Sequence, residues 1–150
     1  MRPRVLGLGL ATVVFAGTVA CDEGLSSLTG PTPNLTPTFT SIQREIFNTT
    51  DSSGRLACVN CHNPGGRAFT AGLDLASAGA YDRLVGVASV ERPTLRRVAP
   101  GDPDSSYMIH KLEGGPAIIG TRMPRGTGPF LTDGQMLVIR RWIRLGAPNN

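Results

Sequence analysis

Residues 57–66 read ACVNCHNPGG. Cys58 and Cys61 stand three positions apart, and His62 follows at once. One helical turn at this spacing brings both thiols to one side of the chain and leaves the imidazole beside them. The only other cysteine, Cys21, lies far upstream. What this short turn does decides what the rest of the chain must fold around.

Three chemistries use a cysteine pair so spaced. A structural zinc site needs four ligands, commonly a second cysteine pair or two histidines. Beyond Cys58 and Cys61 the sequence offers only His62 and His110, and His62 abuts Cys61 too closely for an easy tetrahedron. A thioredoxin-like dithiol needs strands alternating with helices around a parallel sheet, and the chain shows little strand alternation. The third is covalent haem. C-x-x-C-H is the attachment signature of c-type haem: the two thiols form thioethers with the porphyrin vinyl groups, and the adjacent histidine meets the iron from the proximal side. Cys58 and Cys61 are therefore expected to hold one haem c, with His62 as proximal iron ligand.

Such attachment takes place outside the cytoplasm, so an export signal is required. The chain begins MRPR and continues VLGLGLATVVFAGTVA, sixteen residues without a charge, before Cys21. A basic start, a short apolar run and small residues before a break describe a signal peptide over residues 1–20. The run falls short of the roughly 20 apolar residues of a membrane span, although an uncleaved anchor is the alternative. TVAC at residues 18–21 resembles the lipobox of bacterial lipoproteins, with Thr18 where leucine is usual. That resemblance implies acylation of Cys21, hence a lipid anchor at the periplasmic side of a membrane. Asp22 resembles an inner-membrane retention signal whose use varies between lineages. The three cysteines are then all accounted for: one for lipid, two for haem.

Without Arg2 and Arg4, thirteen basic side chains face eleven acidic ones, a net of +2. Charge so weak and scattered argues against nucleic acid as a partner. Residues 22–38, DEGLSSLTGPTPNLTPT, are poor in apolar side chains and are expected, with Cys21, to form a flexible tether over 21–38. Residues 39–150 suit one compact domain.

Within that domain the punctuation is helical. Thr40 and Gln43 suggest a capping box ahead of a face formed by Ile42, Ile46 and Phe47. Residues 77–86 suggest a short helix from Ser77 to Gly86. In residues 101–115, Asp102 is placed to cap, Pro103 suits the first helical position and Gly114 the stop, with Met108 and Leu112 one turn apart. Residues 131–148 give the strongest element: a Thr132/Gln135 capping box, Asp133 in the first turn, and a stripe of Met136, Ile139 and Ile143 widened by Leu137, Trp142 and Leu145. Gly146 and Pro148 end it. The fold class expected is all-α, about four helices joined by Gly/Pro-rich loops. Aromatic residues make up only 5% of the chain, which suggests that a buried cofactor supplies apolar volume.

The distal iron position has four candidates: Met108, Met123, Met136 and His110. Met136 and Met108 are explained by packing stripes, and a lone histidine is more often a satisfied surface residue. Met123 has no stripe. It lies in GPAIIGTRMPRGTGPF, residues 115–130, where Pro124 restricts it to an extended backbone. Arg122 and Arg125 flank it and are expected to be solvated loop charges rather than partners of a haem propionate.

CVNCH, LDLASAGAYDRLVG, VAPGDPDSSYMIHKL, GTRMP and LTDGQMLVIRRWIRLGA occur in the order found in small bacterial monohaem c-type cytochrome domains. The resemblance spans about residues 40–148, and its specific parts are C-x-x-C-H, R-M-P and the closing W-I-x-x-G-A helix. It implies a cytochrome c fold, with Met123 as the distal ligand. The implied function is single-electron transfer between redox partner proteins, with no catalysis of its own. Two alternatives stand beside it: a haem peroxidase or gas sensor with a labile distal ligand, and a non-catalytic haem lipoprotein subunit of a larger complex.

Overall fold

The structure is a computed structural model that describes residues 29–66, 72–76 and 78–150. Helices are its only extended regular elements, and among the described residues no β-strand forms. The all-α expectation holds at that level. The helices are α1 (Phe39–Ile42, continuing through a π-helical turn, Gln43–Phe47), α2 (Ala80–Leu84), α3 (Tyr107–Glu113) and α4 (Asp133–Arg144), with a 3-10 turn at Cys58–Asn60. All four lie where helices were expected. Isolated bridges, Val85 with Val98 and Ala88 with Arg96, tie the connection between α2 and α3.

The starts of two helices differ from expectation. In α1 the cap is Thr38, whose hydroxyl accepts from Ser41 N–H at 3.2 Å. Thr40 is inside the helix, and its N–H is met by the Asn150 carbonyl at 2.8 Å. The turn over Gln43–Phe47 closes with Asn48 N–H on the Gln43 carbonyl at 2.9 Å. With this i→i+5 bonding, Ile42, Ile46 and Phe47 are all buried. In α3, Asp102 does not cap the helix. Its carboxylate accepts from the N–H groups of Asp104 and Ser105, forming a separate turn, and the helix starts at Tyr107. Asx turns of this kind compete locally with helix caps. Gly114 ends α3 at φ +83 as expected. Ser77 lies outside the described residues, and α2 ends at Leu84 with Val85 extended.

Helix α4 forms with its capping box complete: Gln135 N–H reaches the Thr132 hydroxyl at 3.2 Å, and Thr132 N–H reaches Gln135 Oε1 at 2.8 Å. Gly146 at φ +95 and Ala147 N–H on the Trp142 carbonyl close its end. Met136, Ile139, Trp142 and Ile143 are buried, but Leu137 and Leu145 are exposed, and Val138 takes the place expected for Leu137. The arithmetic of 100° per residue puts 138 nearer to the 142 line than 137.

Aromatic volume is concentrated rather than missing. Phe39 of α1 meets Tyr81 of α2 edge-on, ring centres 5.1 Å apart, and Trp142 of α4 at 5.8 Å. Trp142 Nε1 donates to the Pro148 carbonyl and the Tyr81 hydroxyl to the Ala147 carbonyl, so the C-terminal residues are pinned across this cluster. The second half of the segment expected to be a tether also packs on the body: Thr29, Thr32 and Leu35 are buried, and the Thr32 hydroxyl accepts from Gln135 Nε2 at 3.0 Å. The Thr32 hydroxyl also donates to the Thr29 carbonyl, so its burial leaves no polar group unpaired, which a composition argument does not see. Residues 1–28, with Cys21, lie outside the described residues. Among those described, no helix is long and apolar enough to cross a membrane.

Candidate functional site

The C-x-x-C-H segment folds as a single tight turn. Ala57 enters extended, and the Cys58 carbonyl then accepts from Cys61 N–H at 3.2 Å and His62 N–H at 2.9 Å. Asn63 locks the exit: its Nδ2 donates to the Val59 carbonyl at 2.6 Å, and its Oδ1 accepts from Gly65 N–H. Gly66 then passes so near the Cys61 carbonyl that any Cβ would overlap it. Leu75 N–H donates to the His62 carbonyl at 2.9 Å, and Gln43 Nε2 donates to the Leu75 carbonyl at 2.7 Å. The turn is thereby tied through residues 73–75 to α1.

On its other side the turn rests on a buried ion pair that the sequence reading missed. Arg55 Nε lies 2.9 Å from Asp51 Oδ2, and neither side chain has appreciable exposed surface. Arg55 Nη1 also donates to the carbonyls of Ile46 and Leu56. Asp51 accepts from Ser53 N–H and hydroxyl and from Gln135 Nε2. Burial pushes the Asp51 carboxyl up, but the Ser53 hydrogen bonds and the Arg55 charge outweigh it and hold the group below its ordinary value. The Ile46 carbonyl takes a second contact from the Cys58 thiol at 3.6 Å. The available signal was the Asp51–Arg55 spacing just ahead of Cys58, with Gly54 between them.

Cys58 and Cys61 are both free thiols, Cys58 half-buried and Cys61 exposed. Burial pushes the Cys58 thiol up to about 11, against the charge of Arg55. Among the described residues, no three His, Cys, Asp or Glu side chains stand together as a bare-metal site would require.

His62 is half-buried, and its Nδ1 has no hydrogen-bond partner. Burial is the largest influence and lowers its pKa; Lys111 and Arg97 add to that, while the Leu73 backbone and Glu91 oppose it. The Leu73 backbone is close, yet no hydrogen bond of good geometry reaches Nδ1. A buried ring nitrogen without a protein partner is the kind of group that a bound ligand satisfies.

Met123 packs half-buried against the same core as Cys58, Val59, Leu73, Val85 and Met108. Its N–H donates to the Lys111 carbonyl at 2.7 Å. The other candidates sit elsewhere. Met136 is buried on α4. Met108 sits on α3 with its N–H on the Arg97 carbonyl. His110 points its Nε2–H at the Asp104 carbonyl, 2.6 Å away, while its Nδ1, like that of His62, has no partner. Arg122 is not the solvated loop charge expected. Its Nε donates to the Leu112 carbonyl at 2.7 Å, and its guanidinium lies 3.9 Å above the Phe130 ring, a cation–π contact. Arg125 is exposed.

Comparison with family models, with curated proteins and with solved structures finds no match to this chain.

Proposed function

We propose that this chain is a monohaem cytochrome c domain that transfers single electrons at the periplasmic side of a membrane, anchored there by lipid on Cys21. The observation that supports it most is that a one-turn C-x-x-C-H segment, whose His62 is half-buried with an unpartnered Nδ1, and a loop-borne, half-buried Met123 held at the Lys111 carbonyl pack against the same core. The donor set fits haem c. Cys58 and Cys61 would hold the porphyrin, His62 would bind the iron on the proximal side and Met123 on the distal side. Bound there, the haem supplies a one-electron iron couple whose potential a thioether ligand raises. The protein's part is to orient that group and keep water from it. Val59, Leu73, Val85 and Met108, partly buried beside the core, supply apolar wall. The partners would be other redox proteins, and the domain would carry electrons without bond-making catalysis of its own.

Met123→Ala is expected to abolish the low-spin His/Met spectrum of the holoprotein. Met136→Ala is expected to keep that spectrum and lower stability by about 2–5 kcal/mol. The reverse pattern would assign the distal position to α4 and overturn the ligand assignment.

A further inference from the structure

The segment that presents Met123 has no regular structure of its own. Residues 114–130 hold five glycines, Gly114, Gly115, Gly120, Gly126 and Gly128, each at positive φ. Such a chain loses much conformational freedom when fixed, so contacts from outside the loop matter for steadying Met123, beside the Arg122–Phe130 stacking within it. Those contacts converge on one face of α3. Tyr107 and Lys111 lie four residues apart, one above the other on the helix. The Lys111 carbonyl accepts Met123 N–H at 2.7 Å. Lys111 Nζ donates to the Ile119 carbonyl at 2.8 Å, and the Tyr107 hydroxyl accepts Ile119 N–H at 3.0 Å. Both backbone polar groups of Ile119 are thereby held, four residues before Met123.

Glu91 completes the arrangement from the connection between α2 and α3. Its Oε2 accepts from the Tyr107 hydroxyl at 2.7 Å and pairs with Lys111 Nζ at 3.1 Å. One carboxylate oxygen therefore fixes both side chains that grip the loop. Tyr107 is buried, so water is poorly placed to replace its hydroxyl. Hydrogen bonds to a charged partner in such a setting are stronger than neutral exposed ones.

We propose that Glu91, Tyr107 and Lys111 are positioning residues for Met123: they clamp Ile119 and the Met123 backbone to α3 and so govern how firmly the sulfur is kept on the iron. The proposal rests on the assignment of Met123 as distal ligand. Its test is a titration of the ferric holoprotein, matured in a periplasm, with imidazole, which competes with the methionine sulfur. Tyr107→Phe keeps the ring and removes the hydroxyl, leaving Ile119 N–H without its partner. Imidazole affinity is expected to rise about tenfold, and the far-red iron–methionine band to weaken at unchanged haem content. Glu91→Gln, which retains an acceptor for Tyr107 but loses the charge facing Lys111, is expected to move both readouts the same way by less. Amide hydrogen exchange at Ile119 and Met123 is expected to quicken in both variants. If both variants bind imidazole within about twofold of the parent protein, the clamp does not position Met123 and the proposal fails, even where melting temperature has dropped. If the parent protein lacks the iron–methionine band, or Met123→Ala retains it, the ligand assignment fails and the clamp falls with it.

Discussion

A guanidinium with no exposed surface is tolerated only when its N–H groups find acceptors. Arg55 meets that condition with Asp51 and with the carbonyls of Ile46, Leu56 and Thr49. Arg55→Ala would strand the Asp51 carboxylate and is expected to lower stability by about 3–5 kcal/mol, measured by urea unfolding. The acid side follows by linkage. Asp51 is held below its ordinary value, so its stabilisation is full above the unfolded pKa of about 3.9 and is lost as pH falls through the lower folded value. Asp51→Asn is expected to be less stable at neutral pH and to lose less of its remaining stability below about pH 4; an unchanged acid limb would remove the carboxylate from the account. Gly66 makes a different demand. Gly66→Ala would drive a methyl into the Cys61 carbonyl, so the turn must shift. Haem incorporation should fall, read as haem per protein. Cys58, Cys61, His62 and Met123 could be named as candidates from the sequence because each carries distinctive chemistry. Asp51 and Arg55 could not, since their importance comes from burial, which residue type alone disguises.

Among the elements, α4 was the most legible because three local signals agree: the capping box, the apolar stripe and the glycine stop. Thr132→Ala removes one half of the box and is expected to lower stability by about 1 kcal/mol, with Thr132→Ser largely restoring it. Helices α1 and α3 were legible in existence but not in their first residues. The Thr38 hydroxyl outcompetes that of Thr40, and Asp102 spends its carboxylate on a turn of its own. Both rivals lie within a few residues, so composition cannot rank them. The cradle on α3 follows the same logic. The Tyr107 and Lys111 spacing was readable, but Glu91 reaches them from sixteen residues before Tyr107, and only the folded connection brings it there.

At the scale of the whole molecule, the body reaches back to Thr29, which is buried. Between it and Cys21 lie residues 22–28, seven in all, which span at most about 25 Å when fully extended. A lipid on Cys21 would therefore keep the domain close to the bilayer, where its electron partners would have to come within reach. Cys21→Ser is expected to move the protein from the membrane to the soluble periplasmic fraction with its haem intact; retention in the membrane would contradict the anchor and leave the haem reading untouched. The central claim rests on the haem and its two ligands. Its most direct test is the visible spectrum of the protein matured in a periplasm, ferric and ferrous, before and after CO. A haem c held by His62 and Met123 is expected to give a c-type ferrous spectrum unmoved by CO and a weak far-red iron–methionine band in the ferric form. A ferrous spectrum that shifts with CO, or a protein that takes up no haem, would contradict it.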